Sequence, residues 1–156
     1  QKAVDNEPDL VDAWIILGDL HDRLEKANAL QYFKTALDID PQNIQALHAL
    51  AFYYQNHENI PEAIQIYKQI NTLDPTYSEA YFNTGILYLE LDSLPQAHTH
   101  FNIAIQNDPT LAIGYYYRGL SNEKMNKLEL AKSDYEQALR FDRNLEIAKD
   151  ALTQLN

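Results

Sequence analysis

Residues 29–41 read ALQYFKTALDIDP, residues 63–75 AIQIYKQINTLDP and residues 97–109 AHTHFNIAIQNDP, while residues 131–143 read AKSDYEQALRFDR. Each begins with alanine, carries an aromatic four positions later and ends on aspartate, followed by proline in the first three and by Arg143 in the fourth. Ala29, Ala63, Ala97 and Ala131 stand 34 residues apart. A fixed period of this length marks a chain built from copies of one supersecondary unit, each too small to bury its apolar face alone.

Upstream of each alanine lies a second conserved spacing, a small residue at Gly18, Ala51, Gly85 and Gly119. Between small residue and aromatic, apolar side chains recur at helical spacing, so each copy is expected to form two amphipathic helices of roughly a dozen residues. Pro61 and Pro95 suit the first turn of the second helix, where a missing N–H costs nothing. The Asp-Pro pairs stop that helix. The first copy is one residue short between Gly18 and Ala29, so a tightened turn is expected at residues 24–27.

These positions resemble the tetratricopeptide repeat family, whose pattern runs from an aromatic through Leu-Gly and Tyr to Ala, an aromatic and Pro. Trp14, Leu17, Gly18, His21, Ala29, Phe33 and Pro41 supply the first copy; Tyr81, Thr84, Gly85, Tyr88, Ala97, Phe101 and Pro109 match in the third. The fourth departs most, with Arg118 and Asn122 in place of apolar or aromatic residues. The resemblance implies an all-α fold, a right-handed α-α superhelix of helical hairpins. Its repeats span residues 11–43, 44–77, 78–111 and 112–145, with a capping helix at residues 146–156. Residues 1–10, through Glu7-Pro8-Asp9, imitate the close of an earlier repeat, so the parent chain is expected to extend upstream.

Composition narrows the function classes. The 156 residues include no cysteine, which removes disulfides and thiolate chemistry. The formal charge is −11, and it is uneven: residues 1–110 hold 16 acidic against 5 basic side chains, residues 111–156 hold 7 of each. That field repels phosphate backbones and anionic lipid, so nucleic acid is disfavoured, and no apolar run is long enough for membrane insertion. A basic or neutral partner suits it better.

No phosphate loop, zinc-binding His-Glu-x-x-His or nucleophile elbow occurs, so no enzyme activity or cofactor is expected. His98 and His100 diverge by about 200° around a helix and suit a common metal poorly. Asp38 and Asp40 precede Pro41 and read as helix punctuation rather than paired catalytic carboxylates.

In the tetratricopeptide family the first helix of each hairpin lines a concave groove that binds peptides or helices. If Tyr115 shares the hairpin-core place of Trp14, Leu47 and Tyr81, the groove stripes are Ile15, Asp19 and Asp22; His48, Phe52 and Gln55; Phe82, Ile86 and Leu89; and Tyr116, Leu120 and Glu123, bordered by Asn83 and Tyr117. Such a groove is acidic at its first end and apolar from Phe52 onward. The expected function is a non-catalytic protein-interaction module holding an apolar or aromatic segment of a partner, of basic or neutral charge. The alternatives are a structural array that self-associates, for example as a homodimer, or an accessory domain of a longer protein.

One subgroup of the family clamps acidic C-terminal tails with Lys, Asn and Arg. The clamp places here are held by Ile15, Asp19, Ala49, Glu79 and Asn83, or, one repeat on, by His48, Phe52, Asn83, Ile113 and Tyr117. Only Asn83 fits, so carboxylate-clamp binding is not expected. In style the alanine- and tyrosine-rich copies resemble bacterial members of the family, exported lipoproteins among them.

Overall fold

A computed structural model describes residues 7–155, and among these every regular element is an α-helix. The helices are α1 (Glu7–Arg23), α2 (Ala29–Ile39), α3 (Ile44–Asn56), α4 (Ile60–Leu73), α5 (Ser78–Glu90), α6 (Leu94–Asn107), α7 (Ala112–Lys124), α8 (Leu128–Phe141) and α9 (Glu146–Gln154). They fall into two compact units, residues 1–75 with α1 to α4 and residues 76–156 with α5 to α9. The expected remnant of an earlier repeat lies mostly in residues 1–6, outside the described residues. Residues 7–9 form the start of α1.

Each hairpin turns by the same local device. Glu25, Glu58, Asp92 and Asn126 hold left-handed backbone with φ between 51° and 59°. The residue after each donates its N–H back over five positions, Lys26 to His21 O, Asn59 to Tyr54 O, Ser93 to Tyr88 O and Lys127 to Asn122 O, all at 2.8 Å. This is the Schellman closure, which gives the last carbonyls of the first helix their partners. No glycine fills the left-handed place, so each hairpin carries a small strain.

The missing residue of the first copy is absorbed differently from the expectation. The turn through Glu25 and Lys26 keeps the common geometry, and α2 loses its opening turn instead. It starts at Ala29 itself and has 11 residues, whereas α4, α6 and α8 start three residues before their alanines and have 14. The reason is energetic: the turn is held by specific hydrogen bonds, while the first N–H groups of a helix lack intrahelical partners in any case.

At the other end of the second helices, Asp40, Asp74, Asp108 and Asp142 are C-caps in extended conformation. The carboxylates of Asp40, Asp108 and Asp142 accept the N–H two residues on, at 3.2, 2.9 and 2.9 Å, closing a turn that aims the next hairpin.

In both units the core follows from close approach of the paired helices. An added Cβ on Gly18 would run into the Phe33 ring, on Gly85 it would come within 2.6 Å of Phe101 and on Gly119 within 2.7 Å of Tyr135. Those rings are buried, as are Ala29, Ala63, Ala97 and Ala131. Small residue, ring and alanine thus interlock at one layer of each hairpin. In the first unit Leu50 packs on Ala29 and Phe33 of the preceding hairpin. In the second, α9 covers the last hairpin with buried Ala148.

Candidate functional site

The three consecutive tyrosines of α7 separate because helix neighbours point about 100° apart. Tyr115 stacks on Phe141 of α8 at 5.4 Å and lies beneath the Arg118 guanidinium, also at 5.4 Å. Tyr117 turns to the preceding hairpin, stacked on Phe101 at 5.7 Å and edge-on to Phe82 at 5.6 Å. Tyr116 takes the third direction, between Tyr117 at 5.0 Å and Tyr135 at 5.6 Å. A continuous run of rings therefore joins α5, α6, α7 and α8.

Beside Tyr116 the helices leave a cavity of about 200 Å³, lined by Tyr116, Leu120 and Glu123 of α7, Tyr135 of α8, and Ile147, Asp150, Ala151 and Gln154 of α9. Glu123 accepts the Tyr135 hydroxyl at 2.6 Å. Burial, together with this bond and the neighbouring negative charge, pushes the Tyr135 phenol far above its ordinary range, so it remains a neutral donor. Tyr116 is raised for the same first reason, burial, reinforced by Tyr117 and Glu123.

The expected stripe on α7 thus lines one cavity, with its three members together. The α9 wall lies outside the expected stripe: Ile147, 43% exposed, lines the cavity with Asp150, Ala151 and Gln154. The signal was present, since Ile147, Asp150, Ala151 and Gln154 fall at i, i+3, i+4 and i+7.

On α5, Phe82 is half-buried between Phe101 and Tyr117, and Asn83, Ile86 and Leu89 are also half-buried. Phe82 and Tyr117 therefore contribute to packing between hairpins as well as to the surface.

In the first unit, Ile15 packs partly buried against the cluster of Val11, Ala36 and Ala46. Asp19 is exposed, and partial desolvation, aided by Asp22 and opposed by Arg23 and His48, holds its carboxyl above the usual range. His48 meets Tyr67 edge-on at 5.7 Å. Phe52 is 48% exposed on α3. A more polar cavity of about 410 Å³ opens at the α1–α2 turn, lined by Asp22, Glu25, Lys26, Ala27, Tyr53, Asn56 and His57. There His57 stacks on Tyr53 at 4.0 Å, with Nδ1 2.8 Å from Tyr53 O and Nε2 3.6 Å from Asp22.

One polar cluster escaped the sequence reading. Asp134, only 5% exposed, pairs with Arg118 at 2.6 Å and accepts from Asn122 Nδ2 at 2.9 Å; Arg118 also donates to Asn102 at 2.8 Å. The departures at Arg118 and Asn122 were visible in sequence, but their shared acceptor on α8 was not. His98 is lowered by burial and then by Arg118 and Lys127. His100 lies near Tyr88 at 5.2 Å and Tyr81 at 6.1 Å. Among the described residues no group of three His, Cys, Asp or Glu side chains is placed to hold a metal.

Family descriptions reading "Tetratricopeptide repeat" match residues 25–70, 66–99 and 112–145. Among solved structures, the pilF protein of Pseudomonas aeruginosa is 25% identical, with a TM-score of 0.87 over 97% of this chain and 69% of that one. MamA is also 25% identical, with a TM-score of 0.80 over 88% and 81%. The first repeat domain of Spaghetti (RPAP3), solved bound to the HSP90 peptide SRMEEVD, is 27% identical with a TM-score of 0.70 over 74% and 92%. The peroxisomal targeting signal receptor of Saccharomyces cerevisiae is 39% identical over 57 residues, which span only 9% of its length.

Proposed function

Because this chain belongs to the tetratricopeptide repeat family, we propose that it is a non-catalytic interaction module whose inner helices, α1 and α3 in the first unit and α5 and α7 in the second, each offer contact surface to a partner protein. The observation that carries this reading is the cavity on α7, where Tyr116, Leu120 and Glu123 remain accessible beside α9. Phe52, exposed on α3, supports it from the first unit. Fully burying one such apolar side chain is worth roughly 1.5–3 kcal/mol, so a partner segment that covers them gains directly.

The partner is apolar or aromatic with basic character. A peptide such as SRMEEVD, which the RPAP3 domain binds, is the wrong sign for this surface. At the places compared above, Asp19 and Glu79 in one register and Phe52 in the other offer its carboxylates no cation. Titration with that heptapeptide should give no binding at micromolar concentration; a micromolar Kd would remove the charge argument.

The reading itself is tested by affinity capture on the immobilised chain, comparing it with Phe52→Ala and Leu120→Ala. Captured partners should be lost from the variants while circular dichroism and melting stay unchanged. Identical capture by all three proteins would contradict the inner-helix assignment. Phe82→Ala is a poor probe, since that ring also packs on Phe101 and Tyr117.

A further inference from the structure

We propose that the cavity between α7, α8 and α9 is a subsite for one cationic side chain, Arg or Lys, of the bound segment. This rests on the inner-helix reading above and assigns one position of the ligand. Both charged groups in the lining, Glu123 and Asp150, are carboxylates, and no cation lines it. The rest is two phenol rings, three aliphatic side chains and one amide, walls that suit the methylene stem of a long side chain.

A volume of about 200 Å³ is on the scale of one large side chain and too small for a helix. The two rings stand 5.6 Å apart with planes inclined by 32°, and a cation brought within about 6 Å of either centroid gains further attraction. Glu123 spends one oxygen on the Tyr135 hydroxyl. A carboxylate accepts several donors, so it keeps capacity for a guanidinium or ammonium. The lysine of α9, Lys149, is paired with Glu146 at 2.7 Å and is not part of this lining. Nothing in the cavity itself neutralises the two carboxylates, and an apolar occupant would leave them partly desolvated and unpaired.

The test uses the full chain labelled with ¹⁵N, titrated with the acetylated and amidated pentapeptides Ala-Leu-Arg-Leu-Ala, its lysine counterpart, and a version with norleucine at the centre. The cationic peptides should shift amides of residues 116–123 and 147–154, and bind about threefold to fivefold more tightly than norleucine, the range of a partly exposed ion pair. Asp150→Asn, a change on an exposed helix position, should remove that margin, as should Glu123→Gln, which keeps an acceptor for Tyr135; 0.3 M NaCl should shrink it. Equal binding of the norleucine peptide would overturn the cationic subsite while leaving the inner-helix reading intact. Shifts confined to other residues, or none at all, would also overturn it, and the capture experiment with Phe52→Ala and Leu120→Ala would still decide the broader reading.

Discussion

At the scale of the residue, the hairpin turns show how little the local code demands. Left-handed backbone costs an ordinary L-residue roughly 1–2 kcal/mol, yet Glu25, Glu58, Asp92 and Asn126 all adopt it. The cost is tolerated because the backbone hydrogen bonds of the closure come with it. Replacing Glu58→Gly should therefore stabilise the protein, by about 0.5–1 kcal/mol once the greater freedom of glycine in the unfolded chain is deducted. Urea unfolding monitored by circular dichroism would read this as a higher midpoint with unchanged slope; a lower midpoint would mean the Glu58 side chain contributes more than the strain removes. No sequence pattern flagged these positions, since glycine is the usual signal and is absent from them.

The same scale contains a titration effect. The folded state holds the His98 pKa below its ordinary value, chiefly through burial and then through Arg118 and Lys127. The folded chain therefore binds the proton less readily than the unfolded chain. Its contribution to stability is complete above the unfolded value of about 6.5 and is lost as pH falls through the folded one. His98→Gln should flatten that part of the stability profile between pH 7 and pH 5. A profile unchanged by the substitution would show that His98 contributes nothing there.

At the scale of the element, each hairpin is set by the contact of a small residue with a ring. Ala at Gly85 would gain up to ~1 kcal/mol of helix propensity. Its methyl would also stand 2.6 to 3.0 Å from three atoms of the buried Phe101 ring. Overpacking of this kind costs about 1–3 kcal/mol, so Gly85→Ala should lower the melting temperature despite the better helix former. The second hairpin has Ala51 in the same register against Tyr67, which shows that a hairpin can be built around a methyl there when its packing is set for one. The fourth hairpin replaces an apolar contact by an ionic one. Arg118 and Asp134 stand where the second hairpin has Leu50 and Ile66, which share an apolar cluster. Asp134→Ile alone should cost about 3 kcal/mol or more, because it strands Arg118 and Asn122. Combining it with Arg118→Leu should recover most of the loss, and a double-mutant cycle would measure the coupling. If the two losses simply add, the pair carries no interaction energy of its own.

At the scale of the whole molecule, charge matters more than any single pair. Residues 1–75 carry 12 acidic against 5 basic side chains, and residues 76–156 carry 11 against 7. Self-repulsion of this kind is relieved by salt. Raising NaCl from 10 to 300 mM, which shortens the Debye length roughly fivefold, should raise the unfolding midpoint of the first unit. Its reporter is Trp14, the single tryptophan, which stacks on Tyr32 at 5.6 Å. A midpoint that falls with salt would mean that attractive pairs outweigh the net charge.

The period of 34 residues was enough to give the helix pairs, their order and the family, because repeat stacking depends on local spacing: an alanine and an aromatic four apart necessarily share a helix face. The stripe Tyr116, Leu120 and Glu123 was legible for the same reason. What tertiary structure alone decided was what meets each face from elsewhere in the chain. It placed α9 across from α7 to wall an open cleft, put Asp134 under Arg118 and Asn122, and set Tyr117 and Phe82 into a ring cluster. Periodicity specifies which side of a helix is apolar, but the partner on that side is chosen by packing between helices distant in sequence, and volume and polar pairing there have no one-dimensional signature.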